Sequence, residues 1–190
     1  MPSAGLLAVD LDGTLIEVNS FPRFVKFLLL RLPREGRIVA AARLAAALAV
    51  RKTLGTPHAR LKRVVCELAP RIDAGAVEEW AAGLVARHEH RAVRSIVDAW
   101  EGPRVLSTSA PEYYARYIGA AAGFEVVQGT RIDAAGRFTE NVGPTKVARM
   151  RSEGFGDVDT AVSDDPDLDG PLLDMADHRL LVRGGSVARL

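Results

Sequence analysis

Beyond Gly102-Pro103 the chain changes rhythm, and that change limits the folds open to it. Short apolar runs at 104–108, 124–128, 158–162 and 180–182 read as strands, and they alternate with helical patterns at 111–122, 146–153 and 172–176. Residues 130–139 read as a hairpin around Ala135-Gly136. Strands alternating with helices predict an α/β fold with a doubly wound, mostly parallel sheet covered on both faces. One further strand, residues 5–9, belongs to that sheet but stands far from it in sequence. Between them lies helical pattern at 21–33, 38–50, 58–68 and 73–100, punctuated by Pro33, Gly55-Thr56-Pro57 and Pro70. The expected organisation is therefore a core of residues 1–17 and 101–190 interrupted by a helical cap, 18–100.

A chain of 190 residues can bury one sizeable core carrying such a module. Hydrophobic residues make up 48% and the mean hydropathy is +0.05, which fits a globular protein. No apolar run is free of charge over membrane-spanning length, because Lys26, Arg31 and Arg43 interrupt them. The first strand begins too near Met1 for a secretory leader, so a cytoplasmic location is expected. The lone Cys66, among Val64, Val65 and Leu68, reads as packing rather than as a nucleophile.

The net charge of +1 conceals a segregation. Residues 23–63 hold eleven Lys and Arg against Glu35 alone, whereas 157–177 hold eight Asp and no base. The basic segment suits an anionic substrate or peripheral contact with an acidic membrane surface, and it equally fits solvated arginines on Ala-rich helices. It lacks the interleaved aromatics of a nucleic-acid binder, so no nucleic-acid partner is expected. No feature of the pattern specifies an oligomeric state.

In open parallel sheets, ligands collect beyond the carboxyl ends of the strands. Four polar clusters fall there: Asp10 and Asp12 in AVDLDGTLIE, Thr108 between Ser107 and Ser109, Lys146 near a helix start, and Ser163-Asp164-Asp165. An Asp-Gly turn explains one aspartate after the first strand but not two. Converging carboxylates would take up protons near neutrality unless a cation intervenes. Oxygen ligands at this density suit Mg²⁺, and Lys146 adds a second positive charge. Thr108, neighbouring backbone N–H groups and Lys146 would then bind phosphate oxygens. Asp10 would attack phosphorus while Asp12 moves protons to the leaving oxygen and from water.

Taken in order, Asp10-Leu11-Asp12-Gly13-Thr14, Thr108, Lys146 and Ser163-Asp164-Asp165 through Asp169 resemble the four motifs of the haloacid dehalogenase superfamily. The resemblance implies a Rossmann-like core and an Mg²⁺-dependent phosphomonoesterase working through an aspartyl-phosphate. It implies Asp10 as nucleophile, Asp12 as general acid/base, and Gly13, Thr14, Thr108, Ser109 and Lys146 about the substrate phosphate. Metal ligation falls to Asp10, the Asp12 carbonyl and the acidic motif. There either Asp164 or Asp165 is the direct ligand, Asp164 being favoured as the first residue past the strand and Asp169 bracing the site. Asp12 argues for phosphate chemistry, because the carbon–halogen members lack it.

The helical insertion is similar to the cap of the phosphoserine-phosphatase-like branch. Residues 12–24 resemble members of that branch that include a bacterial phosphatidylglycerophosphate phosphatase. A small anionic metabolite is the expected substrate, with a lipid phosphate head group, or a non-catalytic phosphate-binding module, as alternatives. His88 and His90, two apart, would lie on different helix faces and read as solvated rather than as a metal pair. Trp80 and Trp100 are expected to pack the inserted helices together, with Phe21 and Phe24 anchoring the cap.

Overall fold

In the computed structural model, which describes residues 5–190, neighbouring residues of the first strand serve two different cores. Leu7 and Val9 join the larger hydrophobic cluster, and Leu6 and Ala8 the smaller. A strand distributes apolar side chains this way when both its faces are covered. The strands are β1 (Leu7–Val9), β2 (Arg104–Pro111), β3 (Val126–Ile132), β4 (Phe138–Thr139), β5 (Val158–Ser163), β6 (Ala176–Arg183) and β7 (Ser186–Arg189). They form one sheet in the order β4-β3-β2-β1-β5-β6-β7. The five inner strands are parallel, and β4 and β7 add antiparallel edges. Chain order reverses about β1, which creates a crevice at its carboxyl end.

Between β1 and β2 come α1 (Ser20–Arg34), α2 (Ile38–Leu54), α3 (His58–Leu68), α4 (Ala74–His88) and α5 (Arg91–Ala99). The remaining helices are α6 (Glu112–Ala121), α7 (Pro144–Ser152) and α8 (Pro166–Leu173). Tyr114, Ala115 and Ile118 of α6 belong to the larger core, while Met150 of α7 and Leu172 and Leu173 of α8 belong to the smaller. The sheet is thus wound on both faces, as the alternating pattern implies.

Helix α1 starts where the Asn19 side chain accepts a hydrogen bond from Phe21 N at 3.0 Å. Its buried residues Phe21, Phe24, Val25, Leu28 and Leu32 recur at helical spacing. The Phe24 ring centroid lies 4.3 Å from that of Tyr114 and 5.0 Å from that of Trp80, and Trp80 meets Tyr114 edge-on at 5.5 Å. This aromatic group fastens the inserted helices to α6. Trp80 thus packs α4 against Phe24 and Phe27 of α1, as expected of it, and also meets Tyr114 of α6. Trp100 donates from Nε1 to the Gly5 carbonyl at 3.0 Å, close to the start of β1.

Several boundaries depart from the sequence pattern. Pro33 lies inside α1 and does not separate helices, because a proline in the last turn forfeits only one bond. The run 73–100 breaks at Glu89 and His90. His90 is buried and caps α5, accepting at Nδ1 from Val93 N, with Nε2 2.8 Å from the Gly184 carbonyl. It is not on a solvated face. Strand β2 runs on to Pro111 with a register irregularity after Ser107, so α6 starts at Glu112. Helix α8 begins at Pro166, well before the expected 172–176, since Asp165 caps it. The edge strand β7, which follows the Gly184-Gly185 turn, has only a weak apolar signature.

At Gly129 in β3 a close approach dictates the residue: a Cβ there would come within 2.7 Å of both the Ala110 carbonyl oxygen and the Glu112 Cα. The aromatic joint supplies the stability test. Phe24→Ala is expected to cost about 3–5 kcal/mol in urea denaturation. Leu30→Ala, on the exposed side of the same helix, should stay within ~0.5 kcal/mol.

Candidate active site

The peptide N–H of Asp10 donates to the Val162 carbonyl at 3.0 Å, extending the β1–β5 ladder and presenting the Asp10 carboxylate at the crevice. Facing it is Lys146, in the first turn of α7, a helix launched by Gly143 and Pro144. Lys146 is 1% exposed, and its Nζ lies 2.7 Å from Asp10 Oδ1 and 2.7 Å from Asp169 Oδ1. The other Asp169 oxygen accepts from Ser163 Oγ at 2.8 Å. Three chain segments thus meet at one ammonium. A lysine buried so deeply would be strongly unfavourable without such partners.

The Asp12-Gly13-Thr14 turn meets the acidic loop after β5. Thr14 is fully buried; its hydroxyl donates to Asp164 Oδ1 at 3.0 Å and accepts from Asp164 N at 2.9 Å. Gly13 has φ +81°, and a Cβ on it would collide with the Asp164 carboxylate. The Asp12 carboxylate accepts from the backbone N–H of Ser20, in the first turn of α1, at 2.7 Å. Ser20 Oγ in turn lies 3.0 Å from the Tyr114 hydroxyl. The second aspartate is thereby tied to the inserted helices.

Of the residues expected at the site, Asp10, Lys146 and Asp169 are brought into direct contact, as are Gly13, Thr14 and Asp164. Thr14, expected at the substrate, has its hydroxyl engaged by Asp164. Asp165 Oδ1 accepts from the N–H groups of Asp167 and Leu168, so one oxygen of that carboxylate is committed to capping α8. Thr108 is buried with its hydroxyl accepting from Ala110 N at 3.1 Å, and the Ser109 carbonyl accepts from Thr130 at 2.7 Å.

Four further residues enter the site region. Asn141, 1% exposed, donates from Nδ2 toward Ser107 Oγ and the Thr108 and Gln128 carbonyls, holding the bulged end of β2. Lys62 of α3 is buried, with Nζ 3.1 Å from Glu140 and its charge felt at Asp12. Ser20 and Tyr114 complete the set. The polar Asn141 just ahead of Gly143-Pro144 was the available sequence signal; Lys62 carried none, because ten other bases surround it in sequence.

Burial pushes the Asp10 carboxyl up to about 7, against the pull of Lys146. Burial also raises Asp12, opposed by the Ser20 hydrogen bond, and raises Asp164, opposed by Thr14. Burial alone would lower Lys146, but Asp10 and Asp169 outweigh it and hold the ammonium above its ordinary value. The site therefore has more carboxylates than cations. Its donors are all oxygen, a set that fits a hard divalent ion. Among the described residues no three His, Cys, Asp or Glu side chains form a group able to hold a metal. An ion here would rely on two carboxylates, Asp10 and Asp164, completed by a backbone carbonyl and water.

These features define an acid-rich crevice at the switch point of a three-layer α/β fold. The chain belongs to the haloacid dehalogenase-like hydrolase family, whose model matches residues 7–174. Among solved structures it is similar to a protein of unknown function from Bordetella pertussis Tohama I, at 21% identity and TM-score 0.67, over 93% of this chain and 89% of that one. It is also similar to a phosphoserine phosphohydrolase-like protein from Francisella tularensis subsp. tularensis SCHU S4, at 12% identity and TM-score 0.52, over 92% of this chain and 85% of that one. No curated protein matches the sequence.

The raised Asp10 carboxyl makes stability depend on pH. Between 3.8 and about 7 the folded chain holds a proton at Asp10 that the unfolded chain releases. Metal-free protein should therefore lose stability as pH rises through that window, with the loss complete above it. Urea titrations in EDTA across the window should show the decline, and Asp10→Asn should make it shallower.

Proposed function

We propose that the protein is an Mg²⁺-dependent phosphatase that hydrolyses a phosphomonoester through a phosphoryl group carried on Asp10. The observation that carries this reading is the buried ammonium of Lys146 bridging Asp10 and Asp169. Such an arrangement holds a carboxylate at fixed position beside a positive charge, which suits in-line attack on a phosphorus centre. Asp10 presents the oxygen not bonded to Lys146 as nucleophile. Lys146 then offsets charge on the phosphoryl oxygens, joined by main-chain N–H groups of the turn after β1 and by the Thr108–Ser109 segment of β2.

Asp12, with proton affinity raised by burial, protonates the leaving oxygen and afterwards takes a proton from the water that releases Asp10. Its orientation rests on Ser20 N. Asp10, Asp164 and the Asp12 carbonyl would hold the magnesium ion, which supplies charge neutralisation between carboxylates and phosphate when bound. Thr14 fixes Asp164 for that purpose from both its side chain and its backbone. The inserted helices act as a cap: they enclose the Asp12 side of the site and exclude bulk water during the reaction.

The reading extends to a small anionic substrate. Lys62 stands on the Asp12 side, where the leaving group departs, and its ammonium keeps donors free beyond the bond to Glu140. An acidic leaving group would be favoured there.

Purified protein with Mg²⁺ is expected to hydrolyse p-nitrophenyl phosphate and to lose that activity with EDTA. Asp10→Asn should abolish turnover, whereas Asp12→Asn should lower kcat by about 10²–10⁴. Acid quench during turnover of ³²P-labelled substrate should trap label on the wild-type chain and not on Asp10→Asn. Binding of a phosphate mimic without turnover across a broad phosphate panel would instead identify a non-catalytic module.

A further inference from the structure

Helix α2 leaves most of its apolar surface uncovered. Thirteen of its seventeen residues are hydrophobic, yet only Ala40 and Leu44 are buried, and it packs chiefly on α1 and α3. A surface helix ordinarily turns such residues inward. Here Val39 is 85% exposed and Ile38 60%, and Leu30 from α1, near the same turn, is 52% exposed. Three large aliphatic side chains at one hairpin end exceed the scattered single residues normal on a surface.

The charge about this hairpin has one sign. Arg23, Lys26, Arg34, Arg37, Lys52 and Arg60 are exposed, and none takes part in an ion pair among the described residues. The two acids of residues 20–68 are already engaged, Glu35 by Arg31 and Glu67 by Arg43 and Arg63. On α1, Arg23, Lys26, Leu30 and Arg34 recur at spacings of three and four and so share one face. Aliphatic tips set among unpaired cations match the boundary between anionic head groups and acyl chains.

We propose that the α1–α2 hairpin is a docking surface for an anionic lipid bilayer. Leu30, Ile38 and Val39 enter the acyl boundary, and the surrounding Arg and Lys side chains lie at head-group phosphates. The contact is peripheral, since no helix among the described residues is long and apolar enough to cross a membrane. A second copy of the chain would bring the same positive charge to the face and be repelled. A nucleic acid would leave the aliphatic residues unused, and among the described residues no large aromatic side chain is exposed for base stacking. The proposal is independent of the hydrolytic reading, because it concerns where the protein resides and not what it cleaves.

Flotation of the full chain with vesicles tests it, phosphatidylcholine containing phosphatidylglycerol being compared with phosphatidylcholine alone. The protein should rise with the anionic vesicles only, and less so in high salt. The double variant Ile38→Ser, Val39→Ser should bind about tenfold more weakly. Arg34→Glu with Arg37→Glu should lose flotation, and both variants should unfold at the wild-type temperature. The proposal is overturned if wild type fails to float or if the charge-reversed variant floats equally. Tighter binding to duplex DNA than to the vesicles, or a dimer dispersed by the serine variants, overturns it too. Hydrolysis of p-nitrophenyl phosphate, assayed on the same preparations, should be unchanged in both variants, so a failure of flotation stays distinct from a failure of catalysis.

Discussion

A single buried ammonium organises the carboxyl edge of the sheet. Lys146 comes from α7, Asp10 from the end of β1 and Asp169 from α8, segments far apart in sequence that meet only if β1 lies beside β5 and α7 and α8 cover the same face. The charge is too costly to bury alone, so the topology and the ion pairs require each other. Around this point the other acidic groups are held by neutral donors: Ser163 at Asp169, Thr14 at Asp164, and a main-chain N–H at Asp12. The site is preorganised by hydrogen bonds yet holds more carboxylates than cations, an imbalance that the proposed magnesium ion would offset.

The inserted helices are joined to the sheet by two kinds of contact. One is apolar, the packing of Phe24 and Trp80 on Tyr114. The other is polar, the Lys62–Glu140 pair, the hydrogen bond from Ser20 N to Asp12, and the one between the Ser20 and Tyr114 hydroxyls. The far end of the insertion, around α2, takes little part in either.

Much of this was legible in the chain itself. Alternating periodicity was enough for a wound parallel sheet, and the placement of acids after strands was enough to bring Asp10, Lys146 and the acidic loop to one edge. Boundaries failed where long-range contacts override local preference. His90 leaves its helix because its side chain caps the next one and reaches Gly184 across the fold. The bulge in β2 follows from the close approach of Gly129 and from Asn141, neither of which local pattern reports. The division of labour among Asp164, Asp165 and Thr14 was equally hidden. Adjacent aspartates look alike in sequence until a helix start claims one of them and a hydroxyl claims the other.

The hydrogen bond from Ser20 N to Asp12 has a thermodynamic corollary. That N–H belongs to the first turn of the inserted helices, so a contact that seats them at the site also opposes the burial that raises the Asp12 carboxyl. By linkage, whatever share of the seating free energy this one hydrogen bond supplies is forfeited when the aspartate takes up a proton.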